Sequence, residues 1–458
     1  MWNITFEAGS LVVRMDKDEE TASRDLLAPF VWDARVNAWR GEALFYRKLI
    51  MGLAQRRIPF EDQAKQFNKL DLHFQYHREP FYYQSEALRA WEQNGGLGVV
   101  VLPTGAGKSF LAQLAILNKQ RSALVVTPTL DLMSQWYIGL QAAFHTSVGL
   151  MGGGNYDIQD LTVTTYDSAF MHMDKLGNRF GLLIFDEVHH LPSSSYTLAA
   201  RHCVAPYRLG LTATPERADM PNADAAYAPL LGPIVYQKSI RELAGENLAN
   251  YEIVTIPVEL TTKEREQYTE ARDYYTDFIR MNGIHMNSRT GWGDFLRLCS
   301  RSSEGRCALL AHRTQRRITQ CCTQKMEKLA ELLAAHRNDR TIIFTADNET
   351  VYNISRQWLI PAITHQSNIK ERHAILEAFN AGEYPVLVTS KVLNEGVDIP
   401  EANVAIVLSG SGSVREHVQR LGRVLRARSG KVAILYELIA SKTSEESVSE
   451  RRRQHDAF

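Results

Sequence analysis

Residues 103–109 read P-T-G-A-G-K-S, and this short stretch decides the fold class. It follows an apolar, β-branched run at residues 98–102 and opens a helix-length segment at residues 108–118. A glycine-rich turn between a strand and a helix predicts a phosphate-binding loop, because its backbone amides and the helix dipole both favour an anion. Leu102 stands where the full G-x4-G-K-[ST] pattern has its first glycine, so the match covers the G-x-G-K-S core.

This loop predicts that ATP binds together with Mg²⁺. We expect the Lys108 ammonium to reach the β- and γ-phosphates and the Ser109 hydroxyl to ligate the metal ion. Upstream, R-E-P-F-Y-Y-Q at residues 78–84 ends in Gln84, whose amide can pair with the adenine edge. The predicted nucleotide-binding residues of this region are Gln84, Thr104, Gly105, Ala106, Gly107, Lys108 and Ser109.

An acidic pair follows the apolar run at residues 182–185, where the sequence continues D-E-V-H-H. Downstream of a phosphate loop, we expect Asp186 to hold Mg²⁺ through water and Glu187 to orient and deprotonate the attacking water. A metal site on the two histidines is the alternative, but adjacent side chains of an extended chain point apart. His189 is therefore expected to link the nucleotide site to a nucleic-acid site.

A third motif, L-T-A-T-P-E-R at residues 211–217, again follows a predicted strand. The hydroxyl groups of Thr212 and Thr214 are placed where they can sense the acidic pair. We therefore assign these two threonines to coupling and not to catalysis.

The chain alternates apolar strands with helix-length segments twice, which predicts two α/β P-loop lobes with parallel sheets. Between the lobes the pattern is helical, with 15 basic and 10 acidic residues over residues 261–340. The predicted domains are a small N-terminal accessory α+β domain at 1–75, lobe 1 at 76–240, a linker and helical thumb-like insertion at 241–335, lobe 2 at 336–440 and a charged C-terminal tail at 441–458.

Arginines of the second lobe predict a contribution to phosphoryl transfer. Residues 419–426 read Q-R-L-G-R-V-L-R in a helix-length segment, where Arg423 and Arg426 share one face. Both can act as arginine fingers, an effect worth roughly 10³–10⁵ in rate in related enzymes. The alternative is a solvated basic helix.

The loop upstream of these arginines, G-V-D-I-P at residues 396–400, places Gly396 and Asp398 where they can hold an arginine finger or the ribose. Gln419 is assigned to coupling together with His189, Thr212 and Thr214. The predicted catalytic residues are Lys108, Asp186, Glu187, Arg423 and Arg426, and the predicted Mg²⁺ ligands are Ser109 and Asp186.

Hydroxyl-rich loops follow strands in both lobes and are candidates for nucleic-acid contacts. Hydroxyls and loop amides suit phosphate oxygens, and such contacts position a nucleic acid without reading its sequence. Taken singly, each of these loops is more often an ordinary cap or turn, but the pattern recurs in both lobes. The predicted contacts are Thr129, Gln135, Trp136, Thr165, Tyr166, Arg217, Asp219, Thr345, Thr389 and Ser390.

The composition bounds the class of protein. Apolar residues make up 45% of the chain and the formal net charge is zero, so any nucleic-acid surface must be local. No apolar run approaches the roughly 20 residues of a membrane span, and we expect an intracellular, cytoplasmic and nucleoid-associated protein without a signal peptide. The five scattered cysteines fit neither a disulfide framework nor a zinc site.

Together these motifs resemble the superfamily 2 helicases, and more closely their XPB-type branch. The resemblance rests on A-P-Y-R-L-G-L-T-A-T-P-E-R at 205–217, K-V-L-N-E-G-V-D-I-P at 391–400 and L-S-G-S-G-S-V-R-E-H-V-Q-R-L-G-R at 408–423. W-D-A-R-V-N-A-W-R at 32–40 looks like the small N-terminal domain of the short relatives. The resemblance implies RecA-like lobes, a thumb-like insertion, ATP-dependent 3′→5′ movement on DNA and, in archaea, a nuclease-like partner.

One departure keeps three functions open. The family carries an Arg-Glu-Asp triplet linked to strand separation, and the matching positions here are Arg217, Ala218 and Asp219. A strand-separating DNA helicase acting at single-stranded/duplex junctions is the first possibility. A duplex-DNA translocase without robust unwinding is the second, and Ala218 favours it. The third is an ATP-gated recruitment module for a nuclease partner; in each case we expect a monomer.

Overall fold

A computed structural model describes residues 1–15, 24–75, 77–215, 222–243, 250–286, 290–390, 402–409 and 432–453. The chain forms two compact units, of which one comprises Met1–Glu242 and the other begins at Leu243. Within these ranges no helix has both the length and the apolar character needed to cross a membrane.

The first unit begins with a five-stranded sheet and one packed helix. Its strands are β1 (Trp2–Glu7), β2 (Ser10–Arg14), β3 (Val31–Asp33), β4 (Ala38–Glu42) and β5 (Phe60–Asp62), in the spatial order β3-β4-β2-β1-β5. Helix α1 (Tyr46–Gln55) buries Leu49 and Leu53 against this sheet. The alternating stretch at residues 4–13 is a hairpin, because Ala8 and Gly9 adopt positive φ values and turn the chain between β1 and β2.

This N-terminal sheet packs directly on the lobe that follows it. Val204 of that lobe belongs to the same apolar cluster as Trp2, Ile4 and Leu11. Arg47 of α1 donates hydrogen bonds to the carbonyl oxygens of Gly95 and Pro206, at 2.6 and 2.8 Å. The accessory domain and lobe 1 therefore form one compact body.

Lobe 1 is an eight-stranded sheet that is parallel except for β9. Its strands are β6 (Leu97–Val101), β7 (Ala123–Thr127), β8 (Val148–Gly152), β9 (Asn155–Tyr156), β10 (Leu161–Thr165), β11 (Leu182–Asp186), β12 (Tyr207–Thr212) and β13 (Ile234–Gln237). Its helices are α2 (Tyr82–Gln93), α3 (Lys108–Lys119), α4 (Leu130–Phe144), α5 (Tyr166–Leu176), α6 (Thr197–Arg201), α7 (Ala223–Tyr227) and α8 (Ile240–Leu243). The strand order is β13-β6-β12-β11-β7-β10-β8-β9.

The second unit contains a six-stranded, fully parallel sheet in the order β14-β19-β18-β15-β17-β16. Its strands are β14 (Asn250–Val258), β15 (Thr341–Phe344), β16 (Ala362–Ile363), β17 (Val386–Thr389), β18 (Val404–Val407) and β19 (Val432–Ala440). The helices are α9 (Thr262–Met281), α10 (Gly291–Cys299), α11 (Ser303–Gln320), α12 (Thr323–Ala335), α13 (Asn348–Trp358), α14 (Ile369–Ala381) and α15 (Ser444–Arg453).

The segment predicted as linker and thumb is divided between two structures. All nine residues of β14 pair in parallel with β19, so this part of the linker is an edge strand of lobe 2. Leu329 and Leu332 of α12 pack in the same core as Ile343 and Ile406. Helices α9, α10 and α11, the thumb helices, build a separate core around Tyr275, Phe295 and Ala308.

Candidate active site

Three motifs of lobe 1 meet at one edge of its sheet. Strands β6, β12 and β11 are parallel neighbours, with Val101 in register with Thr212 and Leu211 in register with Asp186. The segments that leave their carboxyl ends therefore start side by side, as in other open parallel sheets whose ligands bind at this edge. These segments are the phosphate loop, the coupling motif and the acidic pair.

Two glycines give the phosphate loop its curvature. Gly105 has a φ of 88° and Gly107 a φ of 76°, both in the left-handed region that side chains disfavour. A Cβ atom on Gly107 would also collide with the Gln84 amide nitrogen. Position 107 therefore requires glycine for its conformation and for the close approach of α2.

Side chains of α2 support the phosphate loop through hydrogen bonds. The Gln84 side chain is fully buried, and its Nε2 donates to the carbonyl oxygens of Ala106 and Gly107 at 3.0 and 3.3 Å. Its Oε1 accepts from the Phe81 N–H at 3.1 Å, and the Tyr83 hydroxyl also donates to the Ala106 carbonyl. The amide predicted to read adenine supports the loop in this structure, and the adenine contact stays a prediction.

The loop has the donors that a phosphate group requires. It leads into the 12-residue helix α3, whose first residue is Lys108, and the Lys108 Nζ donates to the Leu102 carbonyl at 3.3 Å. The buried Thr104 hydroxyl has no hydrogen-bond partner among the described residues. Ser109, the predicted metal ligand, is exposed at the second position of the helix. An unsatisfied hydroxyl, an ammonium group and a helix N-terminus fit a bound phosphate.

Asp186 ends β11 and is almost completely buried, at 6% exposure. Its Oδ2 accepts a hydrogen bond from the Trp136 indole N–H at 2.8 Å, and its Oδ1 accepts from the Glu187 N–H at 3.0 Å. Burial raises the pKa of the Asp186 carboxyl, while the Lys108 charge and the Trp136 hydrogen bond act in the opposite direction. Both carboxylate oxygens are thus held in defined positions.

Glu187 adopts a left-handed backbone conformation, with a φ of 47°. This conformation is unfavourable for a residue with a Cβ atom and marks a place where the surrounding structure imposes the geometry. The Tyr166 hydroxyl donates to the carbonyl oxygens of Asp186 and Glu187, at 3.0 and 3.3 Å. Complete burial raises the pKa of Tyr166 well above its usual value, so this phenol remains a donor.

Two of the predicted coupling residues, Thr212 and His189, lie against the Glu187 carboxylate. The Thr212 Oγ1 is 3.4 Å from the Glu187 Oε2 and 3.1 Å from the His189 Nδ1. The same hydroxyl accepts from the Thr214 N–H at 3.1 Å. His189, Thr212 and Thr214 are all buried, and their coupling role stays a prediction.

Six of the residues predicted to contact DNA have side chains that lie in the interior of this structure. The hydroxyl of Thr165 accepts from the Ser168 N–H, whereas Thr345 and Thr389 donate to nearby carbonyl groups. The six buried residues of this group are Trp136, Thr165, Tyr166, Thr345, Thr389 and Ser390. The contacts of these six residues with DNA stay predictions.

Two predicted contacts of lobe 1 are partly exposed. Thr129 caps α4 by accepting from the Leu132 N–H, and Gln135 lies one turn further along the same helix. Their contacts with DNA stay predictions. Seven other predicted site residues lie outside the described residues, namely Arg217, Asp219, Gly396, Asp398, Gln419, Arg423 and Arg426.

Sequence reasoning missed three supports of this site. It did not single out Tyr83, and it placed Trp136 and Tyr166 on the surface instead of beside the acidic pair. The sequence offered one signal for these residues: a buried tryptophan or tyrosine needs a hydrogen-bond partner for its polar atom. That signal does not say which residue the partner is.

Comparisons with known proteins match three parts of the chain. Residues 77–217 match the family described as type III restriction enzyme, res subunit, and residues 324–428 match the helicase conserved C-terminal domain. Residues 4–64 match the xeroderma pigmentosum group B helicase damage recognition domain.

Among curated proteins, the chain is 39% identical to the DNA 3'-5' translocase XPB2 of Sulfurisphaera tokodaii, over 94% of this chain and 97% of that protein. It is 30% identical to the DNA 3'-5' helicase XPB of Kineococcus radiotolerans, over 81% of this chain and 62% of that protein. Among solved structures, the Pyrococcus furiosus Hef helicase domain aligns with a TM-score of 0.57 at 20% identity, covering 82% of this chain and 98% of that one. At that identity the structural likeness concerns the fold alone.

Proposed function

This chain belongs to the XPB-type DNA helicases and translocases of superfamily 2, and on that premise we propose that it hydrolyses ATP to move along DNA with 3′→5′ polarity. One observation carries the proposal. The phosphate loop, the acidic pair and the coupling motif start from neighbouring parallel strands, and Thr212 touches the Glu187 carboxylate. An arrangement of this kind lets a conformational signal reach the group that acts on water.

Different residues would bind the phosphates and the Mg²⁺ ion. The backbone of residues 104–107 and the Lys108 ammonium would hold the phosphates, and Ser109 and Asp186 would hold Mg²⁺. ATP would supply the phosphoryl group that is transferred, and Mg²⁺ would neutralise the negative charge of its phosphates. Glu187 orients the attacking water and accepts its proton, since it directly follows Asp186 at the carboxyl end of β11.

In this proposal, residues of the second lobe also take part in hydrolysis. Arg423 and Arg426 act as arginine fingers on the developing phosphoryl charge, and Gly396 and Asp398 hold a finger or the ribose. Gln419, His189, Thr212 and Thr214 couple hydrolysis to DNA. Thr129, Gln135, Arg217 and Asp219 contact DNA, together with the backbone of the segments around Thr165, Thr345 and Thr389.

Between the two motor functions we favour the duplex-DNA translocase. Ala218 replaces the central acid of the triplet linked to strand separation, whereas no residue of the ATP site is altered by this change. We further propose that the chain works as a monomer at the nucleoid and takes part in DNA repair or processing.

We propose as a second function the recruitment of a nuclease, for which exposed apolar residues of the N-terminal sheet offer a docking surface. Val31 and Trp32 of β3 are 73% and 44% exposed. Replacing both with serine should abolish co-purification with a nuclease while hydrolysis continues. Retention of the nuclease by the variant would remove this surface from the proposal.

The deciding experiment measures ATP hydrolysis with no nucleic acid, single-stranded DNA, duplex DNA, forked DNA and RNA, beside strand displacement on a 3′-tailed duplex. We expect stimulation by duplex DNA with little displacement, and no turnover for Lys108→Ala or Glu187→Gln. Robust displacement would establish a helicase despite Ala218. Equal rates with and without every nucleic acid, or full turnover in either variant, would contradict the proposal.

A further inference from the structure

Two helices of lobe 1 begin at predicted DNA contacts and carry aromatic residues to the acidic pair. Helix α4 starts at the Thr129 cap, and α5 starts at the Thr165 cap. Their caps follow the parallel strands β7 and β10, which are neighbours in register. The two helix N-termini therefore stand at the same sheet edge, where oriented N–H groups favour phosphate.

Trp136 lies about two turns into α4 and is 4% exposed. Its single polar hydrogen goes to the Asp186 Oδ2 at 2.8 Å. Buried indoles normally find some acceptor, and most acceptors in a sheet are carbonyl groups. Trp91 shows this ordinary case in the same lobe, because its N–H donates to the Arg208 carbonyl at 2.8 Å. Trp136 instead orients the carboxylate predicted to hold Mg²⁺.

Tyr166 reaches the same pair from the first position of α5. Its hydroxyl donates to the carbonyl oxygens of Asp186 and Glu187, which belong to the two peptide groups on either side of the Glu187 Cα atom, where φ is 47°. One helix thus contacts the side chain of the acidic pair, and the other contacts its backbone.

We propose that Trp136 and Tyr166 are positioning residues that transmit DNA binding at the N-termini of α4 and α5 to the Asp186–Glu187 pair. The inference rests on the proposed function, in which DNA stimulates hydrolysis. A helix moves as a rigid element, so a displacement at its DNA-facing end is carried to Tyr166 at that end of α5 and to Trp136 about two turns into α4. A hydrogen bond weakens steeply once its atoms separate or lose alignment, which makes small displacements effective.

The test removes each polar hydrogen and keeps an aromatic ring at each position. Trp136→Phe and Tyr166→Phe are compared with Trp91→Phe and Tyr46→Phe, whose polar atoms bind the Arg208 carbonyl and the Asp62 carboxylate elsewhere in the same unit. For each protein we would measure duplex-DNA affinity by anisotropy and the ratio of ATP turnover with and without DNA.

We expect the two test variants to bind DNA within about twofold of the parent and to lose roughly tenfold of the DNA stimulation, the size of one coupling interaction. The controls should keep the parental ratio even if they melt at a lower temperature. Full stimulation in both test variants, an equal loss in the controls, or a loss of DNA affinity that matches the loss of stimulation would overturn the inference.

A second readout separates this inference from the proposed function. It is the free Mg²⁺ concentration needed for half-maximal binding of a fluorescent, non-hydrolysable ATP analogue. Trp136→Phe should raise this concentration roughly tenfold, as loss of a supporting hydrogen bond does at other metal sites. DNA should shift it in the parent and not in the variant. If DNA does not stimulate hydrolysis by the parent protein, the proposed function is contradicted. An unchanged Mg²⁺ requirement in Trp136→Phe would instead contradict the positioning role of Trp136.

Discussion

Lys325 and Glu445 form a buried ion pair in the second unit, with 2.7 Å between the Lys325 Nζ and the Glu445 Oε2. Lys325 lies on α12, and Glu445 lies in the first turn of α15. The same ammonium donates to the Leu408 carbonyl at 2.6 Å, and Glu445 accepts from the Ala440 N–H. The pair therefore joins α15, part of the segment predicted as a charged tail, to the ends of β18 and β19.

Breaking this pair should destabilise the second unit strongly. Lys325→Ala leaves a buried carboxylate without its cation, and we expect a loss of about 3–5 kcal/mol in the free energy of unfolding. The double replacement of Lys325 and Glu445 by methionine removes both charges and should recover most of it. Urea unfolding measures both effects.

Lys328 provides the matched control on the same helix. Its ion pair with Glu331 is 2.6 Å long but solvent-exposed, so Lys328→Ala should cost less than about 1 kcal/mol. Equal losses for Lys325→Ala and Lys328→Ala would show that burial does not determine how much the Lys325–Glu445 pair contributes to the free energy of unfolding.

Glu187 offers a test of stored backbone strain. Because the φ of residue 187 is 47°, the free energy of unfolding of Glu187→Gly should exceed that of Glu187→Ala by about 1–2 kcal/mol. At the exposed position Glu266 of α9 the order should reverse, since alanine is favoured over glycine in a helix by about 1 kcal/mol. Both variants at position 187 should lack hydrolysis. Chemical unfolding of the four proteins is decisive, and an alanine variant more stable at both positions would argue against strain.

Thr212 should matter through its hydroxyl group. Thr212→Val keeps the shape but removes the oxygen that lies beside Glu187 and accepts from the Thr214 N–H. We expect DNA-stimulated turnover to fall roughly tenfold, the usual scale of a coupling interaction, and stability to fall by about 1–3 kcal/mol. Thr212→Ser retains the hydroxyl and should restore most of the turnover. A serine variant as slow as the valine variant would point to packing of the methyl group as the cause.

The thumb helices should lose stability on acidification. Burial, aided by Arg316, Arg272 and Arg313, lowers the pKa of His312 from 6.5 to about 4. Between these values the unfolded chain binds a proton that the folded chain does not, so stability is complete above pH 6.5 and decreases as the pH falls towards 4.

Hydrogen exchange of the thumb helices across this pH range measures the effect. His312→Phe keeps an aromatic ring beside Tyr275 and Trp292 and should show a smaller pH dependence than the parent. His373→Gln, at a position 73% exposed in its side chain, serves as the control and should behave as the parent does. The same pH dependence in His312→Phe would contradict the assignment.

The motifs and most strands of both lobes could be predicted from the sequence because their signals are local. Strands β6 and β11 lie where the apolar runs at residues 98–102 and 182–185 place them, since a parallel strand buried on both faces needs apolar residues throughout. The signal of the phosphate loop is also local, because Gly105 and Gly107 predict a left-handed backbone conformation that does not depend on the rest of the fold.

Partners across the fold could not be predicted in this way. Strand β14 lies far from β19 in sequence, and only the assembled sheet turns that part of a linker into an edge strand. Trp136 and Tyr166 stand in segments that read as surface loops, yet both are buried against Asp186 and Glu187. A sequence shows that a residue carries a polar hydrogen and prefers burial. Which acceptor it meets depends on the order of the strands, and that order is a property of the tertiary structure alone.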